Sequence, residues 1–159
     1  MMNEIIFKQV MEKCILLAKE NLKNNQYPIA AMIADEQGNI VVAVSSSLRQ
    51  TNDPTNHPEM EAIRKASELL KTRVLKNYYL FTTLEPCPMC TAAAIWAKMK
   101  GIIYGASQED AIEYINKNNN RQFSWRQIHV RAKNIICNGE PKLELYEEVC
   151  GDECKQLFI

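Results

Sequence analysis

The sequence lacks several features that would assign it to a special class of protein. Basic and acidic residues both number 19, so no net charge is available to attract a polyanion such as nucleic acid. No apolar run approaches the roughly 18 residues that a membrane-spanning helix needs. The first residues, MMNEIIFKQVMEKC, mix charges with apolar residues and therefore lack the core of a signal peptide. These absences predict a cytoplasmic protein with no membrane partner and disfavour nucleic acid.

Histidine is scarce, with two residues, whereas there are six cysteines among 159 residues. In a reducing compartment, cysteines serve metal binding, catalysis or burial more often than disulfide bonding. The length suits one domain with a real core. Because no repeat, low-complexity tract or linker divides the chain, residues 1–159 are predicted to form a single domain.

Apolar periodicity predicts helices and strands in a mostly alternating order. A helix over residues 3–24 precedes a hairpin formed by YPIAAMIAD and GNIVVAVSS, and SLRQTNDPTN is a loop. The later segments are predicted, in chain order, as a helix over 58–71, the strand NYYLFTTL, a helix over 88–100, the strand GIIYGAS, a helix over 108–118, the irregular stretch NNNRQFSW, one more strand within 129–148, and a C-terminal helix. This order predicts an α/β sheet covered by helices on both faces, with the later strands parallel.

Two short motifs, NHPEME and TTLEPCPMC, contain the residues that point to chemistry. In each motif a side chain that can bind metal directly precedes a proline, as His57-Pro58 and as Cys87-Pro88. Proline is favoured at the first position of a helix, so His57 and Cys87 are each predicted at a helix N-terminus, where the dipole favours a thiolate. With Cys90 one turn farther on, two helix starts could converge on one zinc ion. Three protein ligands leave the open position that is typical of catalytic zinc.

The two glutamates of NHPEME are predicted on different helix faces. The face that Glu59 shares is apolar and holds Ala62, Ile63, Ala66, Leu69 and Leu70. Glu61 instead lies with charged residues and is placed to pair with Lys65 one turn on. A carboxylate at the start of a buried face is costly unless it has a partner or a function. Glu59 is therefore the candidate for proton transfer, and Glu61 is predicted to be an ordinary surface residue.

Taken together, His57-Pro58-Glu59 and Pro86-Cys87-Pro88-Met89-Cys90 resemble the H-x-E…P-C-x-x-C signature of zinc deaminases. This family contains cytidine deaminase, guanine deaminase and tRNA-specific adenosine deaminase. NDPTNHPEMEAIRKA and LFTTLEPCPMCTAAAIWA look most like the branch of the last two, and the resemblance covers most of the chain. It implies a three-layer α/β/α fold with a central five-stranded mixed sheet.

The resemblance also implies roles for individual residues. His57, Cys87 and Cys90 would hold one Zn²⁺ per chain with a bound water or hydroxide. Glu59 would shuttle protons from that water to a ring nitrogen and to the leaving amine, so that ammonia departs. Members of this branch are commonly dimers, which is the basis for expecting a homodimer here.

The chain departs from the family pattern at two positions that concern the substrate. The residue between the histidine and the glutamate is more usually alanine, whose backbone N–H can serve the base, and Pro58 has no N–H. Relatives often carry an asparagine ahead of Asp-Pro-Thr, where this chain has Ser45-Ser46-Ser47. We expect Ser46 and Pro58 to contact substrate. Phe123 and Trp125 lie in an irregular segment and could stack on a base, and Trp125 is the third predicted contact, although ordinary packing is the commoner role.

Other readings of the cysteines stay open at this point. Cys-Pro-x-Cys also occurs as a redox motif, usually after the first strand of a βαβ unit, but that reading leaves His57-Pro58-Glu59 unexplained. A structural zinc site would need a fourth ligand, for which Cys150 or Cys154 could be nominated. Their spacing fits one helix face packed on the core equally well. The remaining side chains are predicted to be structural: Cys14, Trp96 and Met99 in the core, His129 at the surface or hydrogen-bonded, and Cys137 without a partner motif.

The sequence thus predicts a zinc-dependent hydrolytic deaminase of a purine-type nucleobase or nucleoside, similar to guanine deaminase. The first alternative is a tRNA-specific adenosine deaminase, which would want a basic surface, whereas the tail EPKLELYEEVCGDECKQLFI has more acidic residues than lysines. The second is a catalytically silent, zinc-stabilised partner subunit. The presence of Glu59 argues against it, because such a subunit has no need of a proton shuttle.

Overall fold

Helices and strands alternate along most of the chain in a computed structural model that describes residues 2–118 and 127–158. In order, the elements are α1 (Met2–Lys23), β1 (Ala30–Asp35), β2 (Ile40–Ser45), α2 (Leu48–Thr51), α3 (Pro58–Leu69), β3 (Tyr78–Leu84), α4 (Pro88–Trp96), β4 (Gly101–Ala106), α5 (Gln108–Asn118), α6 (Ala132–Asn138), β5 (Glu144–Tyr146), α7 (Gly151–Lys155) and a 3₁₀ turn (Gln156–Phe158). Within these described ranges, no helix combines the length and apolarity needed to cross a bilayer.

The five strands form one mixed sheet in the order β2-β1-β3-β4-β5. Strand β1 pairs antiparallel with both β2 and β3. Strands β3, β4 and β5 are parallel, as predicted, because each is reached through a helical connection. The predicted α/β class and mixed five-stranded sheet are confirmed.

Each face of the sheet is covered by its own layer of helices. Along β3, Tyr79 and Phe81 point to one layer while Leu80 points to the other, as the two-residue period of a strand requires. The first layer contains α1 and α7, with Phe7, Val10, Met11, Cys14, Cys154, Leu157 and Phe158 buried. The second contains α3, α4 and α6, with Ala62, Ile63, Ala66, Ala94 and Ile136 buried. The predicted core positions of Cys14 and Met99 are confirmed.

Helices α3 and α4 end earlier than their apolar patterns predict. The predicted ends were residues 71 and 100, whereas α3 ends at Leu69 and α4 at Trp96. Shortly after each end, Lys71 and Lys98 adopt a positive φ of 51°. A left-handed residue ends a helix, and glycine is its usual signal in sequence. Because lysine fills both positions, the sequence gives no warning of the stop.

Trp96 was predicted to be buried in the core, and this prediction is wrong. Its side chain is 85% exposed, because the core contacts at this end of α4 come from Ala94 and Ala97 on other faces. Leu69, assigned to the apolar face of α3, is likewise 62% exposed. Both residues occupy the last position of their helix, where the chain turns away from the sheet.

Residues 129–148 contain more structure than the single strand predicted there. They hold the unpredicted helix α6 as well as the short strand β5. Helix α6 is seven residues long, and its buried side chains are Ala132 and Ile136. Two apolar contacts one turn apart are too few to show a helical period in the sequence. The short helix α2 within the predicted loop of residues 47–56 was also missed, because it is four residues long and buries no side chain.

Replacing Gly105 with alanine should destabilise the fold. A Cβ at Gly105 in β4 would lie 2.1 Å from Cys154 Sγ and 3.0 Å from the carbonyl oxygen of Thr83. Overpacking of this kind costs about 1–3 kcal/mol of unfolding free energy, measurable by urea titration. The matched control is Gly151→Ala, whose Cβ would meet nothing closer than Glu148 Cβ at 3.3 Å. An equal loss in both variants would contradict the packing of α7 against β4.

Candidate metal centre and catalytic site

Two helix N-termini meet at the site, as the X-Pro pattern predicts. His57 and Cys87 are the N-cap residues of α3 and α4, and each has an extended backbone with φ −64°. Proline occupies the following position in both helices. The carbonyl of His57 accepts the N–H of Glu61 at 3.0 Å, and that of Cys87 accepts the N–H of Thr91 at 2.9 Å. The same local geometry therefore delivers both side chains.

Three potential metal ligands form a nearly equilateral triangle. Cys87 Sγ lies 3.6 Å from Cys90 Sγ and 3.6 Å from His57 Nδ1, and the remaining side, from Cys90 Sγ to His57 Nδ1, is 3.5 Å. Across residues 2–118 and 127–158, no other three histidine, cysteine or acidic side chains are grouped this closely. The cluster predicted from the two motifs is present in the structure.

The triangle fits tetrahedral zinc. Zinc–sulfur bonds of about 2.3 Å and zinc–nitrogen bonds of about 2.0–2.1 Å imply S···S edges of about 3.8 Å and S···N edges of about 3.6 Å in a tetrahedron. The observed sides of 3.5–3.6 Å match both values closely. One nitrogen and two sulfur donors are also a ligand set that zinc accepts.

The alternative readings of the cysteines do not agree with this geometry. A structural site needs a fourth ligand, and none lies within the cluster among the described residues. Cys154 packs in the first helix layer, on the opposite face of the sheet from α3 and α4, and Cys150 packs beside it. A redox pair needs no histidine, yet the His57 ring lies within 3.6 Å of both other ligand atoms.

The protonation of the two thiols is strongly coupled. The hydrogen bond between Cys87 and Cys90, with help from His57, lowers the pKa of Cys87 to about 4. The same hydrogen bond and burial raise the pKa of Cys90. The contact with Cys87 also raises the pKa of His57. Cys87 is thus a thiolate beside Cys90 and His57, which hold their protons. A bound cation would displace those protons.

Glu59 lies beside the triangle as the apolar-face prediction requires. It is 4% exposed, and its Oε1 accepts a hydrogen bond from Thr82 Oγ1 at 2.8 Å. Its Oε2 lies 3.6 Å from Cys90 Sγ. Burial raises the pKa of the carboxyl group, while the charge of His57 and the Thr82 hydroxyl oppose that shift. A buried carboxyl of this kind can hold a proton at the pH where a solvated one has lost it.

Glu61 points away from the cluster but does more than the surface role predicted for it. Its predicted pair with Lys65 forms at 2.7 Å. Its carboxylate also accepts hydrogen bonds from Ser47 Oγ at 3.2 Å and from Asn56 Nδ2 at 3.5 Å. Glu61 therefore ties α3 to the preceding loop, and its side chain is only 21% exposed.

A cavity of about 500 Å³ opens beside the three ligand atoms. This volume lies within the range of small-molecule sites. His57, Glu59 and Cys87 line it, and so do the predicted contacts Ser46 and Pro58. The third predicted contact, Trp125, and its neighbour Phe123 lie outside the described residues.

The far wall of the cavity is held by residues that the sequence reasoning missed. Glu85, which is 6% exposed, accepts hydrogen bonds from Arg131 Nε at 2.8 Å and from the backbone N–H groups of Gln108 and Ala132 at 2.8 and 2.9 Å. Gln108 Nε2 donates to the carbonyl of Ile128 at 2.6 Å. The one available signal was the position of Glu85 directly before Pro86-Cys87. Its partners come from distant parts of the chain and could not be inferred.

The site has the form of a known family. The profile described as the cytidine and deoxycytidylate deaminase zinc-binding region matches residues 6–106. The chain belongs to this family. The matched zinc-binding region and the His57/Cys87/Cys90 cluster together indicate zinc as the metal of this site.

Individual relatives carry different names, among them guanine deaminase and tRNA-specific adenosine deaminase. A guanine deaminase of Bacillus subtilis is 41% identical over 86 residues, which are 54% of this chain and 54% of that one. The chain thus spans about half the length of this relative. A tRNA-specific adenosine deaminase of Rickettsia felis is 32% identical over 67% of this chain and 78% of its own. The solved structure of guanine deaminase from Nitrosomonas europaea superposes with a TM-score of 0.77 over 95% of this chain and 81% of that one, and at 19% identity this likeness concerns the fold alone.

Replacing Glu59 with glutamine should stabilise the metal-free protein in a pH-dependent way. The folded pKa of Glu59 is raised, so below the ordinary value of 4.5 the carboxyl is protonated in both states and the exchange is nearly neutral. Above pH 4.5, the wild-type protein must either ionise the buried Glu59 carboxyl or keep it protonated, and both lower the free energy of unfolding. Glutamine does not titrate and therefore avoids this cost. We therefore expect Glu59→Gln to raise the free energy of unfolding at pH 7.5 and to change it little at pH 4.5. Urea titrations at the two pH values test this, and a gain that is larger at pH 4.5 would contradict it.

Proposed function

We propose that this deaminase hydrolyses a purine-type nucleobase or nucleoside as a small molecule, in the manner of a guanine deaminase, and releases ammonia. The observation that carries the proposal is the buried carboxyl of Glu59, set between a zinc-shaped ligand triangle and a cavity of about 500 Å³. A cavity of this size suits a bicyclic base. The sequence relative named guanine deaminase supports the same substrate class.

In this proposal His57, Cys87 and Cys90 hold one zinc ion per chain. When bound with three protein ligands, zinc lowers the pKa of a water ligand to about 7 and so supplies a strong nucleophile at neutral pH. The positive ends of α3 and α4 favour the thiolate forms of the two cysteines.

Glu59 moves the protons that hydrolysis requires. One oxygen of its carboxyl is fixed by Thr82, and the other lies on the side of Cys90, next to the triangle. From there the carboxylate takes one proton from the attacking water and gives it to a ring nitrogen. It then takes the second proton, from the hydroxyl group now bonded to the ring carbon, and gives it to the amine, which leaves as ammonia. Burial raises its pKa, which suits a group that must both accept and donate near neutral pH.

Base recognition differs from that of relatives with alanine and asparagine at the corresponding positions. Pro58 lies on the cavity wall and offers no N–H to a substrate. Ser46 also lines the cavity and has a hydroxyl in place of a carboxamide. We propose both as substrate contacts, and Trp125 as a third. With Pro58 and Ser46 as contacts, the substrate base has fewer amide N–H and carboxamide partners than in those relatives.

A tRNA-specific adenosine deaminase is the second candidate, supported by relatives with that name. Acidic side chains near the C-terminus argue against a long polyanion on that surface, since Glu140 is 82% and Asp152 94% exposed. A catalytically silent partner subunit is disfavoured because Glu59 is present and positioned. The expected homodimer and cytoplasmic location rest on the resemblance and the composition, and we keep both as proposals.

Purified protein should contain one zinc ion per chain by elemental analysis. Cys87→Ala and Cys90→Ala should each lose the metal and some stability, because metal binding is coupled to folding. Cys137→Ala is the matched control, since Cys137 is exposed and outside the cluster, and it should keep its zinc. Full zinc content in both ligand variants would refute the ligand set.

Ammonia release should separate the proposed functions and the two glutamates. Wild type should act on guanine or another amino-purine among free bases and nucleosides, and Glu59→Ala should lower turnover by roughly 10²–10⁴ or more while zinc stays bound. Glu61→Ala should stay active and cost about 1 kcal/mol of stability, because Ser47 and Asn56 lose their acceptor.

The same panel includes a tRNA anticodon stem-loop. Turnover of the stem-loop alone would favour the second candidate, and turnover of no compound would favour the silent subunit. Loss of activity in Glu61→Ala with fold and zinc intact would overturn the assignment of Glu59.

A further inference from the structure

Asn21 is a buried polar side chain that the proposed chemistry does not use. It lies in the last turn of α1 and is 9% exposed. Its Nδ2 donates to the carbonyl of Tyr27 at 2.7 Å and to the carbonyl of Ser46 at 3.0 Å. Both acceptor residues line the cavity. One carboxamide therefore joins two wall segments, the turn that leads into β1 and the chain that leaves β2.

Ser46 has one group left with which to meet a ligand. Its backbone N–H donates to the carbonyl of Ile29 at 2.9 Å, and its backbone carbonyl is taken by Asn21. Among the residues that the structure describes, its hydroxyl makes no hydrogen bond and is not sealed from the cavity. A hydroxyl offers one donor and two acceptor sites. Because the backbone is held on both sides, the Ser46 Cβ is fixed, and the hydroxyl can move only by rotation about χ1.

We propose that Asn21 is a positioning residue for base recognition and acts through Ser46. Its two hydrogen bonds hold the Ser46 hydroxyl where it can bond a polar edge atom of the substrate ring, in addition to the amine that leaves. This inference rests on the proposed function, because it assigns the Ser46 hydroxyl to the substrate of that site.

The loss of these hydrogen bonds would act on binding rather than on the chemistry. Leucine at position 21 has nearly the same shape but no donor, so two carbonyls of the cavity wall would lose their partner. A shift of about 1 Å in a positioning contact can cost up to about 10²-fold in rate. The zinc triangle and Glu59 belong to α3 and α4, and Asn21 makes no hydrogen bond to them. The metal and the proton transfer should therefore remain intact.

The test is a double-mutant cycle on the zinc-loaded protein with Asn21→Leu, Ser46→Ala and both changes together. Each single variant should raise KM for the amino-purine substrate by roughly 10-fold while kcat stays within about 3-fold of wild type. The KM of the double variant should lie within about 2-fold of the KM of the more impaired single variant. The reason is that Asn21 acts through the Ser46 hydroxyl, which Ser46→Ala has already removed. Zinc content should be unchanged in all three variants.

The control is Asn24→Leu, the same chemical change three residues on at an exposed position, which should leave KM unchanged. If Asn21→Leu does not fold, Asn21→Ala takes its place, since alanine is the best helix former. Multiplicative effects in the double variant, or an unchanged KM in a folded Asn21 variant, would overturn the proposal.

A separate readout distinguishes failure of this inference from failure of the proposed function. If wild type turns over no compound of the panel, the proposed function fails, and the same cycle is measured as the Kd of 2,6-diaminopurine by calorimetry. Non-additive losses of affinity would then support the role of Asn21. Additive losses, or no binding to wild type, would overturn it.

Discussion

The site depends on the close packing of two helices on one face of the sheet. Three ligand atoms from α3 and α4 must stay 3.5–3.6 Å apart, although the residues that carry them are about thirty positions apart in sequence. Ala62 and Ala66 of α3 and Ala94 of α4 are fully buried in the layer beneath. Side chains this small let the helices sit low on the strands. A larger residue at any of these three positions would displace its helix. The start of that helix would then move, and the ligand atoms would separate even though the new side chain does not contact them.

The burial of the Glu59 carboxyl costs stability. A carboxyl at 4% exposure loses most of its hydration, and the single hydroxyl of Thr82 replaces only part of it. Thr82 reaches Glu59 because the two-residue period of β3 turns Leu80 and Thr82 toward the helix layer of α3. The strand thus supplies a polar partner to the buried carboxyl beside the cavity. The same burial that costs the fold stability raises the pKa of Glu59, which is the property that the proposed proton transfer needs.

Much of this arrangement was predictable because it is local. A proline after His57 and after Cys87 fixes a helix start within one residue, and the hairpin and the buried strands have clear two-residue or apolar patterns. What failed was not local. The helix stops at Lys71 and Lys98 have no glycine signal, and Trp96 is exposed because Ala94 and Ala97 make the core contacts at that end of α4. Periodicity identifies which side of a helix is apolar. It does not show how far along the helix the contacts with the core extend.

The cavity walls also depend on non-local contacts that the sequence does not predict, and these walls surround the proposed substrate. The ligand triangle and Glu59 come from two motifs that can be read in sequence, whereas each wall is fixed by one buried polar side chain whose partners lie far away. On one side Glu85 binds the starts of α5 and α6, and its partners lie 23 and 47 residues on. On the other, Asn21 reaches Ser46, 25 residues away.

The proposed substrate contacts are therefore separate from the ligand triangle. Pro58 and Ser46 line the cavity, whereas the starts of α3 and α4 bring the three ligand atoms together. In the proposed function, a change at a wall position alters the atoms offered to a base without moving the ligand atoms. Ser46 is tied to Asn21, which belongs to neither motif, and this link is visible only in the folded chain.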